Sequence, residues 1–295
     1  MGTSSSFGGA GGGTPLIPSW LQPDSDDGGQ DVGGVGGGLE PQSEPSGAPQ
    51  VPSESPQAPQ QGQPVTPSPD VNRFRNARTN YTRFASSGGT NRESLNRAVS
   101  SYVRSGAGGA RSATIRMGAS RGVAANTARL FSDIRSEGAE QALFSRGIEY
   151  DGQGHACDVL LDVLDSMDFN GGPIDEAVAR DAMVESVIEN LEDLDVPFNE
   201  LDPAVYPALL EDFVTKSIVS RLIMDIGMKG MYVAKDAAAA EYVHGVLEDV
   251  VAGAVSDSFA SSGGIESVAT SEYDRIVDQI YSNSYSLLQA LGESE

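Results

Sequence analysis

The chain has 295 residues, 39% hydrophobic and 21% charged, with 35 Gly, 16 Pro and a formal net charge of -23. No run of roughly 18 apolar residues occurs, so no segment reads as a membrane-spanning helix. The single cysteine, Cys157, excludes an internal disulfide and a multi-cysteine metal centre, and suits a reducing cytoplasm.

Charge and composition change along the chain together. Residues 1–69 hold 15 of the Gly, 12 of the Pro, seven acids and no Lys or Arg. Such a stretch cannot bury enough apolar surface to offset the entropy of ordering, and it is predicted to be a disordered tail. Its first 21 residues, MGTSSSFGGAGGGTPLIPSWL, start small and end in an apolar cluster. They lack the basic start and the apolar stretch of about 7 to 15 residues that mark a secretory signal. The glycines between Gly8 and Gly13 follow no strand and precede no helix, so they form no phosphate cradle. Trp20, the only Trp, is expected to act with Leu16 and Ile17 as a docking anchor, because one large ring buries much area at small entropic cost. The alternative is that it packs on the protein's own helices. Residues 22–69 read as a linker. Its Pro-rich half, 41–69, is extended at about 3.1 Å per residue, and its P-x-x-P spacings follow from the density of Pro alone.

The remainder is predicted to be all-α, an irregular helical bundle made of an Arg-rich helical segment, 70–146, and an acidic helical domain, 147–295. The first has 13 Arg, no Lys and five acids; the second has six basic residues and 30 acids. Arg73, Phe74, Arg75, Arg78, Tyr81, Arg83 and Phe84 interleave cations with rings. Binders of single-stranded nucleic acid use that combination, and so do helices that dock into a partner protein. The excess of acids in the following block repels nucleic acid, which favours protein docking. The same arginines have a second outlet, which is packing against the acidic block of their own chain.

Thr90 to Glu93 has the spacing of a capping box, and Leu95, Val99, Tyr102 and Val103 follow at helical intervals until Gly106, Gly108 and Gly109 end the helix. Residues 111–137 are predicted to form one helix through Ile115, Val123, Leu130, Phe131 and Ile134. Residues 155–168 place Cys157, Leu160, Leu161, Leu164 and Met167 on one stripe. Gly172-Pro173 opens the next helix, with Val178, Val184, Val187, Ile188, Leu191 and Leu194 on its apolar side. Residues 205–226, 236–259 and 271–291 complete the set, the last with Ser271 and Asp274 as a cap. Alternating strand patterns are scarce, and no repeat of a length that builds solenoids is present.

Catalytic signals are thin. Gly118-Ala119-Ser120-Arg121-Gly122 fits G-x-S-x-G, but that motif works on a strand-to-helix turn, and here both flanks are helical. His155 and Cys157, with Asp151 and Asp158 nearby, are too few and wrongly spaced for zinc; Cys157 is expected to fill the core as a small apolar residue. His244 reads as a helix-surface or core residue. Asp158, Asp162, Asp165 and Asp168 share one helix face, which could offer oxygens to Mg²⁺ but reads as the solvated side opposite an apolar stripe. No Walker A sequence is present. The expectation is a protein without catalytic residue, metal or cofactor, and so not an enzyme.

The start MGTSSSFGGAGGGTPLIPSWL, the segments FRNARTNYTRFASSGG and ARSATIRMGASRGVAANTARL, the run from Gly172 to Asp181 and the Ile226-Gly227 region together resemble the QatB component of bacterial Qat anti-phage defence systems. The resemblance covers the first 21 residues and most of 70–235; the far carboxy-terminal part matches less distinctly. It implies an operon whose other products are an ATPase, a QueC-like enzyme of the deazapurine-forming type and a TatD-like nuclease. This chain would be the non-enzymatic adaptor, binding the ATPase and offering its amino terminus to the QueC-like protein. Gly2, exposed after loss of Met1, would be the modified or recognised residue, with Thr3, Ser4, Ser5 and Ser6 in the enzyme's groove. Two other readings stand beside this one. MGTSSS fits the N-myristoylation pattern with Ser6 at its last position, although one acyl chain without a polybasic patch binds membranes weakly. The Arg block, alternatively, binds nucleic acid.

Overall fold

The computed structural model describes residues 72–167, 172–194, 196–227, 236–263 and 269–292. The tail and linker readings, with Gly2 to Ser6, Leu16, Ile17 and Trp20, lie outside the described residues, as does Asp168. Within them the chain is all-α: α1 (Arg75–Ser86), α2 (Arg92–Ser101), α3 (Ala110–Arg116), α4 (Gly118–Glu137), α5 (Ala139–Phe144), α6 (Ala156–Ser166), α7 (Pro173–Leu191), α8 (Val205–Ile226), α9 (Ala237–Ser261) and α10 (Tyr273–Ala290). Extended pairing among the described residues is confined to an isolated antiparallel bridge between His155 and Pro197.

The long helices follow from periodic burial. On α8, Leu209, Leu210, Phe213, Val214, Ile218, Leu222 and Ile226 are all buried, at the spacings the sequence predicts. Pro173 sits in the first turn of α7, where its missing N–H costs nothing, and Asp175 and Glu176 complement the positive end of the helix. α7 packs on α8 and α8 on α9, while α4 touches α5, α7, α8 and α10. One hydrophobic core runs from Phe74 to Leu288, so the arginine-rich and acidic stretches bury their apolar faces together.

α10 is central to that core. Tyr273, Ile276, Val277, Ile280, Tyr281, Ser284, Tyr285 and Leu288 are buried, and the helix packs against α2, α3, α4 and α9. Its end is tied back to the start of the fold. The Ser100 hydroxyl donates to the Gln289 carbonyl at 2.6 Å, and the Ala110 amide donates to Gln289 Oε1 at 3.1 Å.

Four local expectations are corrected. The cap of α2 is Asn91, whose side chain accepts from the Ser94 amide at 3.0 Å; Thr90 Oγ1 instead donates to the Ser87 carbonyl, and Glu93 pairs forward with Arg97. An asparagine nearer the helix competes successfully for the role assigned to Thr90. Residues 111–137 form two helices, because Met117 leaves helical geometry (ψ 27°) and buries its side chain, so that α3 and α4 each reach α10. On α6 the buried stripe is Ala156, Val159, Leu160, Val163 and Leu164, with Cys157, Leu161 and Met167 at its margin. α10 begins at Tyr273 after a turn of 3₁₀ helix, with no side-chain cap from Ser271.

The helix that α2 begins also ends differently from a plain glycine stop. It widens into a π-turn over Tyr102–Gly106. A Cβ on Gly106 would lie 2.3 Å from Cδ1 of Phe74, so glycine is what lets that ring lie against the backbone.

Candidate functional site

Phe74 precedes α1 and is buried. Its ring stacks on Tyr102 with centroids 5.4 Å apart. The guanidinium carbons of Arg73, Arg78 and Arg116 stand 4.7, 5.9 and 5.8 Å from its centroid, where the negative face of the ring attracts cations. Beneath it lies Asp225, near the end of α8. Its Oδ2 accepts from the Tyr102 hydroxyl at 2.9 Å, lies 3.1 Å from Arg116 Nη2 and accepts from Arg221 Nε at 3.3 Å. Arg221 also pairs with Asp175 of α7. Burial first, and the Asp225 charge second, raise the Tyr102 pKa, so the hydroxyl stays protonated as a donor. Arg78 donates to the carbonyls of Ile226 at 2.7 Å and Asp225 at 3.1 Å, satisfying the last turn of α8.

The interleaved pattern of α1 therefore divides by face. Phe74, Tyr81 and Phe84 are buried in the protein's own core. Arg75 and Arg83 are exposed, Arg73 is half-exposed over Phe74, and Arg78 is exposed but holds α8. Further arginines of the basic stretch pair with the acidic one: Arg121 with Asp278 and Arg129 with Asp274, both on α10. Internal packing thus takes up part of the arginine block and leaves an outward-facing remainder on α1.

The Tyr81 hydroxyl is buried with no hydrogen-bond partner among the described residues, and burial pushes its pKa up to about 12. Tyr81→Phe keeps the ring contact with Phe84 and removes an unpaired polar atom whose burial costs about 1–3 kcal/mol. The variant is expected to melt at the wild-type temperature or a few degrees above it in a circular-dichroism scan.

A second charge cluster joins α7, α8 and α9. The Lys216 side chain is only 3% exposed, and its Nζ lies 2.8 Å from Glu189, 3.1 Å from Glu248 and 3.8 Å from both Glu185 and Asp212. Burial disfavours the ammonium, but Glu189, Glu248 and Asp212 outweigh it, and the net pKa is raised. Burial also raises the carboxyl of Asp212, whose Oδ2 accepts from Asn190 Nδ2 at 3.0 Å. The sequence reading missed this cluster, because four acids on three helices carry no local signal.

The remaining candidates are dispersed. Ser120 is buried in the first turn of α4, with a helix on each side instead of the strand that a nucleophile elbow needs. His155 occupies the cap position of α6 and is exposed. Cys157 is half-buried; burial, then Asp158 and Glu192, raise its thiol pKa, which disfavours the reactive thiolate. Asp158 and Asp162 are exposed, Asp165 pairs with Arg180, and His244 is half-buried on α9. Among the described residues no group of His, Cys, Asp and Glu is arranged to hold a metal ion.

A groove of about 1030 Å³ also escaped the sequence reading. Its walls come from the end of α4, α5, Ile148 to Tyr150, and the approach to α8 from Phe198 to Tyr206. Those pieces are distant in sequence, so only the fold brings them together.

The fold and these clusters define an all-helical protein whose helices are tied together by buried charge. The family model for QatB, Qat anti-phage system associated protein, matches residues 108–288, more than half of the chain. The chain belongs to this family and is a component of the Qat anti-phage defence system. The match reaches through most of α10, beyond the point near residue 235 where the recognisable motifs thin out, and it begins after the amino-terminal segments. No curated protein and no solved structure matches the chain significantly. Among the described residues no helix is long and apolar enough to cross a membrane.

Proposed function

We propose that this QatB-family protein works without chemistry of its own, as an adaptor that binds the ATPase of the Qat system and presents Gly2 to the QueC-like component. Family membership over residues 108–288 carries the reading, since it implies the company of other Qat components. Ser120, sequestered in α4, and Cys157, held as a thiol, give it support on the side of chemistry. The outward guanidinium groups of Arg75 and Arg83 supply a charged face for a protein partner. Small residues around Gly2 suit entry into another protein's pocket, because a chain without a Cβ passes where larger residues cannot. The α-amino group, with a reference pKa of about 7.7 to 8.0, is partly neutral and nucleophilic near neutral pH.

Intact-mass analysis of the protein made with and without the QueC-like component is the test. A mass increase that maps to Gly2 and disappears in Gly2→Trp is expected. An unmodified terminus in the complete system, with Gly2→Trp still protecting cells against phage, would remove the proposal.

A further inference from the structure

We propose that the groove between α4, α5 and the start of α8 is a docking site for a cationic protein segment bearing an aromatic or aliphatic anchor. The groove has a fixed aromatic floor. Tyr206 stacks on Phe131 with centroids 4.0 Å apart, and Tyr150 meets Phe198 edge-on at 5.8 Å. Phe144 stands in the wall with 71% of its surface exposed. An exposed ring beside a rigid concave floor is the arrangement into which an anchor side chain inserts and from which it displaces water.

The trough is longer than a compact ligand needs. At Ile148, Glu149 and Tyr150 it continues into a second concavity of about 480 Å³ that runs along the exposed side of α6. An extended segment fits that shape, with side chains reaching alternate pockets.

Charge selects the occupant. Glu137, Glu140, Glu149, Glu200 and Asp202 line the first concavity, where Arg135 is the only basic lining residue. Asp151, Asp158 and Asp162 continue the acidic lining in the second. A partly enclosed surface of one sign concentrates the opposite charge. The amino-terminal tail of this chain is a poor occupant, because residues 1–69 carry seven acids and neither Lys nor Arg. Nucleic acid is repelled for the same reason. A segment with Lys or Arg flanking one large apolar side chain satisfies both the rim and the floor. This surface is separate from the arginine face of α1, so the chain has one face for an acidic partner surface and another for a basic segment.

The test uses the full-length protein and a fluorescein-labelled peptide of Lys, Leu and one Trp, followed by fluorescence anisotropy. The same peptide with Glu in place of Lys is the control ligand. Glu140→Lys/Glu149→Lys/Glu200→Lys is expected to weaken binding at least about tenfold, as unlike-charge contacts become repulsive. Glu241→Lys/Asp249→Lys/Asp257→Lys makes the same change in net charge on exposed positions of α9, and should leave affinity within about twofold by the same argument. Phe144→Ala alone should weaken binding several-fold. A photoreactive group at the peptide Trp, used with the unaltered protein, should crosslink within residues 137–150 and 198–206, which keeps the test independent of how the variants fold.

Equal weakening by the two triple variants would reveal diffuse attraction to an acidic protein and overturn the proposal. So would failure of the Lys peptide to bind, binding that ignores Phe144, or crosslinks elsewhere. A dimer seen by sedimentation and dissociated by the groove triple would assign the groove to a second copy of the chain, which also overturns it.

Discussion

Lys216→Met is expected to destabilise the protein by about 2–4 kcal/mol at neutral pH, a range set below that of a fully enclosed broken ion pair because Glu185 and Glu189 are half-exposed and screened. Methionine fills much of the same volume, so the loss is mainly electrostatic: Glu185, Glu189, Asp212 and Glu248 are left facing one another without the ammonium. The sign of the pH dependence follows from the shifts. The Lys216 pKa is raised above 10.5, so its contribution is complete below that pH and is lost as pH climbs through the raised value. The Asp212 pKa is raised above 3.8, so folding takes up a proton there, and its stabilising contribution fades as pH rises through the raised value. In Lys216→Met, Asp212 loses the ammonium that opposes its upward shift, so the deficit in melting temperature should shrink as pH falls from about 7 toward 5. Thermal scans of both proteins across that range provide the measurement. A deficit that stays constant with pH would mean that packing, and not charge, is what Lys216 contributes.

Asp225→Ala is expected to cost about 3–5 kcal/mol, the range for removing one member of a buried charge network. Two guanidinium groups and the Tyr102 hydroxyl lose an acceptor at once, although Arg221 keeps Asp175. Phe74 would then stack on a ring whose hydroxyl has no partner in the network. Asp225→Asn should cost less, because its amide oxygen can still accept from Tyr102. Urea unfolding should show a lower midpoint for both variants with an unchanged slope, the signature of lost stability without a change in the surface exposed. Near wild-type stability of Asp225→Ala would show that Arg116 and Tyr102 hold their places without the carboxylate, through their packing on Phe74.

The long helices were legible where apolar residues repeat over several turns; α8 keeps the predicted bounds for that reason, whereas Ile188 and Leu194, expected on the apolar side of α7, are exposed. Boundaries that depend on one side chain were not, as the shift of the α2 cap from Thr90 to Asn91 shows. On α1 the alternation of Arg with Phe and Tyr reads like one mixed surface. Yet Phe74, Ala77, Tyr81 and Phe84 also fall at intervals of three and four, the mark of a buried face, and the small side chain of Ala77 disguises it. The Asp225 and Lys216 clusters and the acidic groove were illegible for a different cause. Each gathers side chains from separate helices, and no local spacing records such a meeting.

The central place of α10 has a consequence for biosynthesis. Ser100 and Gln289, which bond in the finished fold, are separated by 189 positions. At ribosomal rates of about 5–20 residues per second, that gap lasts roughly 10–40 s. For most of that time α2, α3 and α4, which pack against α10 in the finished fold, have been made without it. Until α10 arrives they offer an apolar trench to chaperones and to other nascent chains. A message truncated before residue 273 should therefore yield a chaperone-bound or aggregated product, even though nine of the ten helices among the described residues would be encoded in full.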